Sequence, residues 1–403
     1  MVKKTLDIKA VMIGLGYIGL PTAALMASKG IKVHGVDINE KAVATINKGE
    51  IHIVEPDLDG LVHHVVEEGF LFADTKPTKA DVFLIAVPTP FKGDHQPDIS
   101  YVETAAKNIA PFIEKGNLII LESTSPVGTT ERVKEIIDSE RPEIKGKYFI
   151  AYCPERVLPG NIIHELEHND RSIGGIDDQS TEKAIEFYRH FVKGELHPTD
   201  SRTAEMCKLV ENSYRDVNIA FANELSMICE EANINVWELI KLANKHPRVN
   251  ILQPGTGVGG HCIAVDPWFI VSEFPKHAKI IRAAREINNY KTEWVIEKIK
   301  NAALEFELKN NRKPTIACLG LAFKPDIDDL RESPALRVAE VIKNDFDDVI
   351  LVEPNLTSHT KFELAEIEEA LERADIVSIL VKHRLFRNTV FPKKSLLLDF
   401  CGL

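Results

Sequence analysis

The sequence has no Cys-x-x-Cys pair and no cysteine–histidine spacing of the kind that holds zinc. Its six cysteines, Cys153, Cys207, Cys229, Cys262, Cys318 and Cys401, lie far apart. In a chain of 403 residues this argues against a disulfide scaffold and predicts reduced thiols and no metal centre. No apolar run reaches the roughly 18 residues needed to span a bilayer. The opening Met1–Asp7 stretch lacks the apolar segment of a secretory leader, so a cytoplasmic location and no membrane partner are expected. Positive charge is also scarce, with 49 Lys and Arg against 61 Asp and Glu and a net charge of −12. A surface of that sign does not suit nucleic acid, whose phosphates need a basic face. A small polyanion remains compatible, because a local Lys/Arg cluster can oppose the global field. The 44% hydrophobic and 27% charged content is that of a soluble globular protein, and the length predicts two or three domains.

What the sequence does contain is concentrated in a few loops. Thr256-Gly257-Val258-Gly259-Gly260-His261-Cys262-Ile263-Ala264-Val265-Asp266-Pro267 presents a thiol at the end of a glycine-rich loop. Glycine lets backbone take positive φ and approach a ligand closely. Asp266, four residues after Cys262, would share its face in a helical segment. The pattern points to covalent thiol chemistry on a bound electrophile. Cys229 and Cys318 sit among apolar neighbours and are expected to be buried. Cys153 is the rival nucleophile, but its strand-exit position before Pro154 suits structure better than chemistry.

The N-terminal region reads as a dinucleotide cradle. An apolar strand, 8–13, runs into Gly14-Leu15-Gly16-Tyr17-Ile18-Gly19, then a helix to about residue 29 and a second strand, 31–36, closed by Asp37. This is Gly-x-Gly-x-x-Gly in the strand–turn–helix–strand context it requires, with the pyrophosphate expected on the helix N-terminus. Asp37 suits ribose hydroxyls and would repel a 2′-phosphate, which favours NAD over NADP. Further short apolar runs at 82–87, 118–121 and 148–152 predict buried parallel strands. Their ends place Thr89, Thr124 and the Cys153-Pro154-Glu155-Arg156-Val157 segment where doubly wound sheets bind ligands.

From about Ser201 the pattern becomes helical, with 203–232 nearly free of Gly and Pro and a second helical segment at 236–245. Lys208, Asn212 and Arg215 fall at i, i+4 and i+7, a polar stripe that on spacing alone could equally be a solvated face. His246-Pro247-Arg248 then leads toward the cysteine loop. After a linker ending near Pro314, α/β character returns: Ile316-Ala317-Cys318-Leu319 enters Gly320-Leu321-Ala322-Phe323-Lys324-Pro325. A helix at 333–344, a strand at 349–352, a helix near 363–373 and strands at 376–381 and 396–399 follow. The predicted architecture is α/β, two Rossmann-like domains joined by a central helical domain, divided as 1–200, 201–310 and 311–403.

Along almost its whole length the chain resembles the UDP-glucose/GDP-mannose dehydrogenase family. The residues that carry the resemblance are Gly14–Pro21, Glu122–Gly128, Cys153–Arg156, Lys208 with Asn212, Gly257–Pro267 and Gly320–Ser333. Within the family, Glu50–Pro56, Pro88–Asp98, Asn212–Ser226 and His246–Pro254 are most similar to the branch acting on UDP-N-acetyl-D-mannosamine. The resemblance implies an NAD-dependent, four-electron oxidation of a UDP-hexosamine at C6, through a thiohemiacetal and a thioester on Cys262. It assigns Lys208 as the catalytic lysine, with Asn212 sharing its oxyanion, and Asp266, Glu155 and Thr124 as candidates for holding the hydrolytic water. It implies cofactor contacts from Gly14, Gly16, Tyr17, Ile18, Gly19, Asp37, Thr89, Thr124 and Arg331. For the UDP-sugar the matching positions are Arg156, Val157, Lys208, Asn212, Arg215, His246, Arg248, Gly259, Phe323 and Lys324. It further implies a homodimer, or a dimer of dimers, built on the central helices, with residues 311–403 binding the UDP-sugar. Where relatives commonly carry a basic residue in a C-terminal Asp-x-Arg/Lys-Gly, this chain has Cys401, so no basic contact is expected there. The alternatives are a UDP-N-acetylglucosamine 6-dehydrogenase, a two-electron dehydrogenase with Cys262 as bystander, and a non-catalytic nucleotide-sugar or NAD sensor.

Overall fold

The computed structural model describes residues 5–53, 55–93, 95–157 and 160–403. Met1–Lys4, Val54, Asp94 and Leu158–Pro159 lie outside the described residues, and with them parts of the Glu50–Pro56 and Pro88–Asp98 stretches. The chain divides into two compact units after Val210, inside one long helix, Ser201–Glu231.

Among the described residues, the first unit contains ten strands: β1 (Lys9–Ile13), β2 (Lys32–Val36), β3 (Leu71–Asp74), β4 (Val82–Ile85), β5 (Phe91–Lys92), β6 (Gln96–Pro97), β7 (Leu118–Leu121), β8 (Phe149–Tyr152), β9 (Arg171–Gly175) and β10 (Leu196–Asp200). Eight of them form one sheet in the order β10-β9-β8-β7-β4-β1-β2-β3, while β5 and β6 make a small hairpin. Pairing is parallel throughout the sheet except between β8 and β9. The central strands are buried along their length, as the continuous apolar runs require of a sheet covered on both faces. β3, β9 and β10 are not among the strands expected from sequence. β3 and β10 lie at the two edges, where alternating or polar residues such as Leu71-Phe72-Ala73-Asp74 and His197-Pro198-Thr199 are tolerated. β4 stops at Ile85, short of the expected Val87, because the Val87 amide donates to the Ser123 hydroxyl (2.9 Å).

The second unit has a four-stranded parallel sheet: β11 (Ile316–Leu319), β12 (Val349–Val352), β13 (Ile376–Ile379) and β14 (Leu396–Asp399), in the order β12-β11-β13-β14. The helix expected near 363–373 begins only at Ile367, because the Ala365 amide is drawn to the Leu351 carbonyl (2.9 Å). A 32-residue helix, Lys279–Asn310, precedes the sheet and ends on Asn311 in the left-handed region. That cap is where the sequence placed its linker. No helix among the described residues is long and apolar enough to cross a membrane.

Candidate active site

The Gly14–Gly19 turn is built as its sequence demands. Gly14 has φ +91°, and a side chain there would collide with the Ala86 carbonyl at 2.4 Å. A Cβ on Gly19 would meet the Gly14 carbonyl at 1.8 Å, so the helix Gly19–Ser28 can start this close to β1 only with glycine. Gly16 has open space on its Cβ side. The helix has no side-chain cap and no acidic residue in its first turn. A helix N-terminus without a side-chain cap, approached by glycine backbone, fits the pyrophosphate of NAD. Asp37 is half-buried at the end of β2, where its carboxylate accepts the Leu15 amide (2.8 Å) and the Asn39 amide (2.9 Å). Ile18 lies at the cap of that helix and Tyr17 is exposed beside it. Thr89 and Thr124 are brought together at the ends of β4 and β7, the Thr89 hydroxyl donating to the Thr124 carbonyl (2.6 Å).

Further along the sheet, the Lys208 ammonium donates to the Glu155 carbonyl oxygen at 2.8 Å. Glu155 directs its carboxylate elsewhere, into a buried cluster with the Arg171 guanidinium at 3.0 Å. Glu122 and Tyr188 belong to that cluster, joined by a 2.6 Å hydrogen bond from the tyrosine hydroxyl. Burial pushes the Glu122 carboxyl up to about 7, against the pull of Arg171 and Tyr188. Cys153 lies in the same place, fully buried, and burial pushes its thiol up to about 11. A thiol so rarely ionised is a poor nucleophile. The Arg156 guanidinium donates to the Asp170 carbonyl, and Val157 packs on the first unit's core. Sequence reasoning passed over Arg171 and Tyr188, which sit in β9 and a helix with no motif around them. It also passed over Glu205, which lies in the long helix. The buried Glu205 carboxylate accepts the Gly128 amide (2.6 Å) and both the amide and hydroxyl of Thr130 (2.7 and 2.6 Å). It thereby caps the helix Thr129–Glu140 from 75 residues away.

In the second unit, the thiol and its carboxylate share one turn. The Cys262 carbonyl accepts the amides of Val265 (3.0 Å) and Asp266 (2.8 Å), and Asp266 opens the helix Asp266–Glu273. Cys262 is half-buried, whereas Asp266 is buried and accepts the Asn212 side-chain amide at 2.6 Å. Asn212 therefore orients Asp266, a contact that the oxyanion role expected from the resemblance did not include. The glycines before the thiol are needed for packing: a Cβ on Gly259 would meet the Glu332 carbonyl at 2.5 Å and Phe323 at 2.8 Å. Gly260, at φ +83°, lies against the Phe323 ring and donates to the Arg331 carbonyl (3.0 Å). Phe323 is thus drawn to the cysteine loop, while Lys324 beside it is exposed. The Arg331 guanidinium pairs with Asp329 (2.6 Å). Arg215, His246 and Arg248 are exposed, and the His246 ring accepts the Arg248 amide of its own loop (3.3 Å).

Comparison with known proteins adds three family matches. The NAD binding, central and UDP binding domains of the UDP-glucose/GDP-mannose dehydrogenase family match residues 8–192, 202–290 and 317–402. UDP-N-acetyl-D-mannosamine dehydrogenase of Escherichia coli (strain K12) is 57% identical over 393 residues, covering 93% of this chain and 94% of that protein. NDP-N-acetyl-D-galactosaminuronic acid dehydrogenase of Ralstonia nicotianae is 54% identical over 389 residues, covering 93% and 91%. The solved structure of UDP-D-ManNAc dehydrogenase from Pyrococcus horikoshii superposes with a TM-score of 0.89 at 38% identity, covering 98% of this chain and 96% of that one.

Proposed function

This chain belongs to the UDP-glucose/GDP-mannose dehydrogenase family, and we propose that it oxidises C6 of UDP-N-acetyl-D-mannosamine from alcohol to carboxylate. The observation that carries the chemistry is the Cys262–Asp266 turn, with Asp266 held by Asn212. The 57% identity to the Escherichia coli enzyme supports the choice of sugar. Gly14–Gly19 and Asp37 would hold NAD, which would supply the hydride acceptor for each of two successive oxidations. Lys208 stabilises the oxyanion at O6 and carries its proton away. The Cys262 thiolate adds to the C6 aldehyde, forming a carbon–sulfur bond as the carbonyl oxygen takes a proton. Oxidation of that thiohemiacetal leaves a thioester on Cys262. Water then cleaves the carbon–sulfur bond, releasing the uronate and restoring the thiol. For that water, Asp266 is favoured over Glu155, whose carboxylate is already committed to Arg171.

The balance is one alcohol, two NAD and one water giving one carboxylate, two NADH and three protons. Two NADH per UDP-N-acetyl-D-mannosamine, with kcat/KM higher than for UDP-N-acetylglucosamine, UDP-glucose or GDP-mannose, is the expected result. One NADH per sugar with aldehyde released would sink the mechanism, and a preference for another sugar would sink the substrate. The product would be an activated uronic acid for surface polysaccharide synthesis, made in the cytoplasm, with domains divided as 1–200, 201–310 and 311–403.

The same reading makes the enzyme a homodimer, or a dimer of dimers. Val210, Tyr214, Phe221 and Ile228 are all exposed and fall within about 40° of one another around the Ser201–Glu231 helix at 3.6 residues per turn. An apolar stripe of this kind needs a cover, and a second copy supplies it, with the exposed His246–Arg248 loop serving the partner's substrate. Phe221→Glu is expected to give monomers in sedimentation; unchanged assembly would rule this face out.

A further inference from the structure

The second unit repeats the turn of the first and then puts it to a different use. Gly14 (φ +91°) and Gly320 (φ +90°) both close a first strand, donating to Val36 and Val352 carbonyls at 2.8 Å each. In both, the acid at the end of the second strand accepts the next amide: Leu15 to Asp37 at 2.8 Å, Leu321 to Glu353 at 2.7 Å. Asp37 lies half-buried, as an acid must to meet ribose hydroxyls. Glu353 is 3% exposed. One of its oxygens accepts Leu321, the Ala322 amide (2.9 Å) and His383 Nε2 (3.1 Å). The other accepts the Asn355 backbone and side-chain amides (3.0 and 3.1 Å). Five donors saturate the carboxylate, so no acceptor remains for a ribose diol.

His383 is fully buried and links this acid to the far end of the same loop. Its Nδ1 accepts the Asp326 amide at 2.9 Å. Nδ1 therefore carries no proton, and Nε2–H donates to Glu353. Asp326 sits in the left-handed region (φ +61°), and its carboxylate accepts the Arg384 amide (2.9 Å) and guanidinium (3.0 Å). The Leu321–Asp326 loop is thus anchored at both ends, with Phe323 and Lys324 between the anchors.

We propose that His383 is a positioning residue for nucleotide-sugar binding. With Glu353 it converts a dinucleotide-type strand end into an internal anchor that holds the Leu321–Asp326 loop in its binding conformation. This rests on the reading that the loop binds the UDP-sugar. The anchor also accounts for a cradle of this shape in a unit that would take no second NAD.

The test compares two variants that each keep one side of the ring. His383→Gln keeps a donor for Glu353 at the Nε2 position but leaves no acceptor at the Nδ1 position, where the Asp326 amide donates. The loop's far end is released, and the KM for the UDP-sugar is expected to rise about tenfold, the scale of one lost hydrogen bond to a preorganised site. His383→Asn keeps the acceptor at the Nδ1 position and is expected to restore most of that loss. The KM for NAD should stay unchanged in both, a separation that general loosening of the fold would not produce. A UDP-sugar KM in His383→Gln equal to wild type, with Lys324→Ala raising it, overturns the role of His383 alone. An unchanged KM in Lys324→Ala overturns the assignment of the loop, and the inference with it.

Discussion

Cys262→Ser is expected to stop formation of the uronate, with a loss of at least about 10³-fold, the scale on which removing a covalent nucleophile acts. A serine hydroxyl at this position is almost never ionised near neutral pH, so the aldehyde goes uncaptured and no thioester forms. At most one NADH per sugar should appear, and mass spectrometry of the protein should find no sugar adduct. The turn holding the thiol needs no sulfur to form. The Cys262 carbonyl bonds to Val265 and Asp266, and the Asp266–Asn212 contact is independent of the side chain at 262. The variant should therefore fold and bind substrate normally. Full turnover in Cys262→Ser together with loss in Cys153→Ser would reassign the nucleophile. Cys153 is poorly suited to that role, being fully buried with its thiol pushed up to about 11.

Asp216→Ala is expected to destabilise the second unit by about 3–5 kcal/mol, the cost of stranding one partner of a buried ion pair. Asp216 in the Ser201–Glu231 helix accepts the Arg285 guanidinium at 2.7 Å and the Asn288 amide at 2.8 Å, both from the Lys279–Asn310 helix. The side chains are 0% and 3% exposed. Burial raises the Asp216 carboxyl above its usual value, and Arg285 works against that shift. Removing the carboxylate leaves the guanidinium without its charge partner in a site closed to water. Urea unfolding of the full chain should show an earlier transition for the second unit, and a shift worth less than about 1 kcal/mol would refute the estimate. The double change Asp216→Leu with Arg285→Met should recover most of the loss, because replacing both charges by apolar groups strands neither.

Several parts of this protein are legible because their signals are local. The turn at Gly14–Gly19 follows from positive φ and close helix approach, which only glycine permits. The strands of the two sheet centres announce themselves as unbroken apolar runs, and the long helix as a stretch without Gly or Pro. The Cys262–Asp266 spacing already contains the turn that joins them, since a carbonyl reaches an amide four residues on. The edge strands β3 and β10 gave no such signal, because a strand paired on one side only can carry polar residues and proline.

What the tertiary structure alone decided is the pairing of distant groups. Glu155 and Arg171, Glu205 and Thr130, Asp216 and Arg285, Glu353 and His383 are each ordinary residues in their own segments. Their meaning depends on being withdrawn from water together, and burial depends on the whole fold. The cost of desolvating a lone charge forces each to have a partner, yet nothing in the spacing says which one. The family and the glycine turn that suits a dinucleotide were therefore legible in the sequence itself, as was the loop on which the proposal of Cys262 as nucleophile rests. Which carboxylates remain available to that chemistry, and which are spent holding a loop or a helix in place, was decided only by the packing.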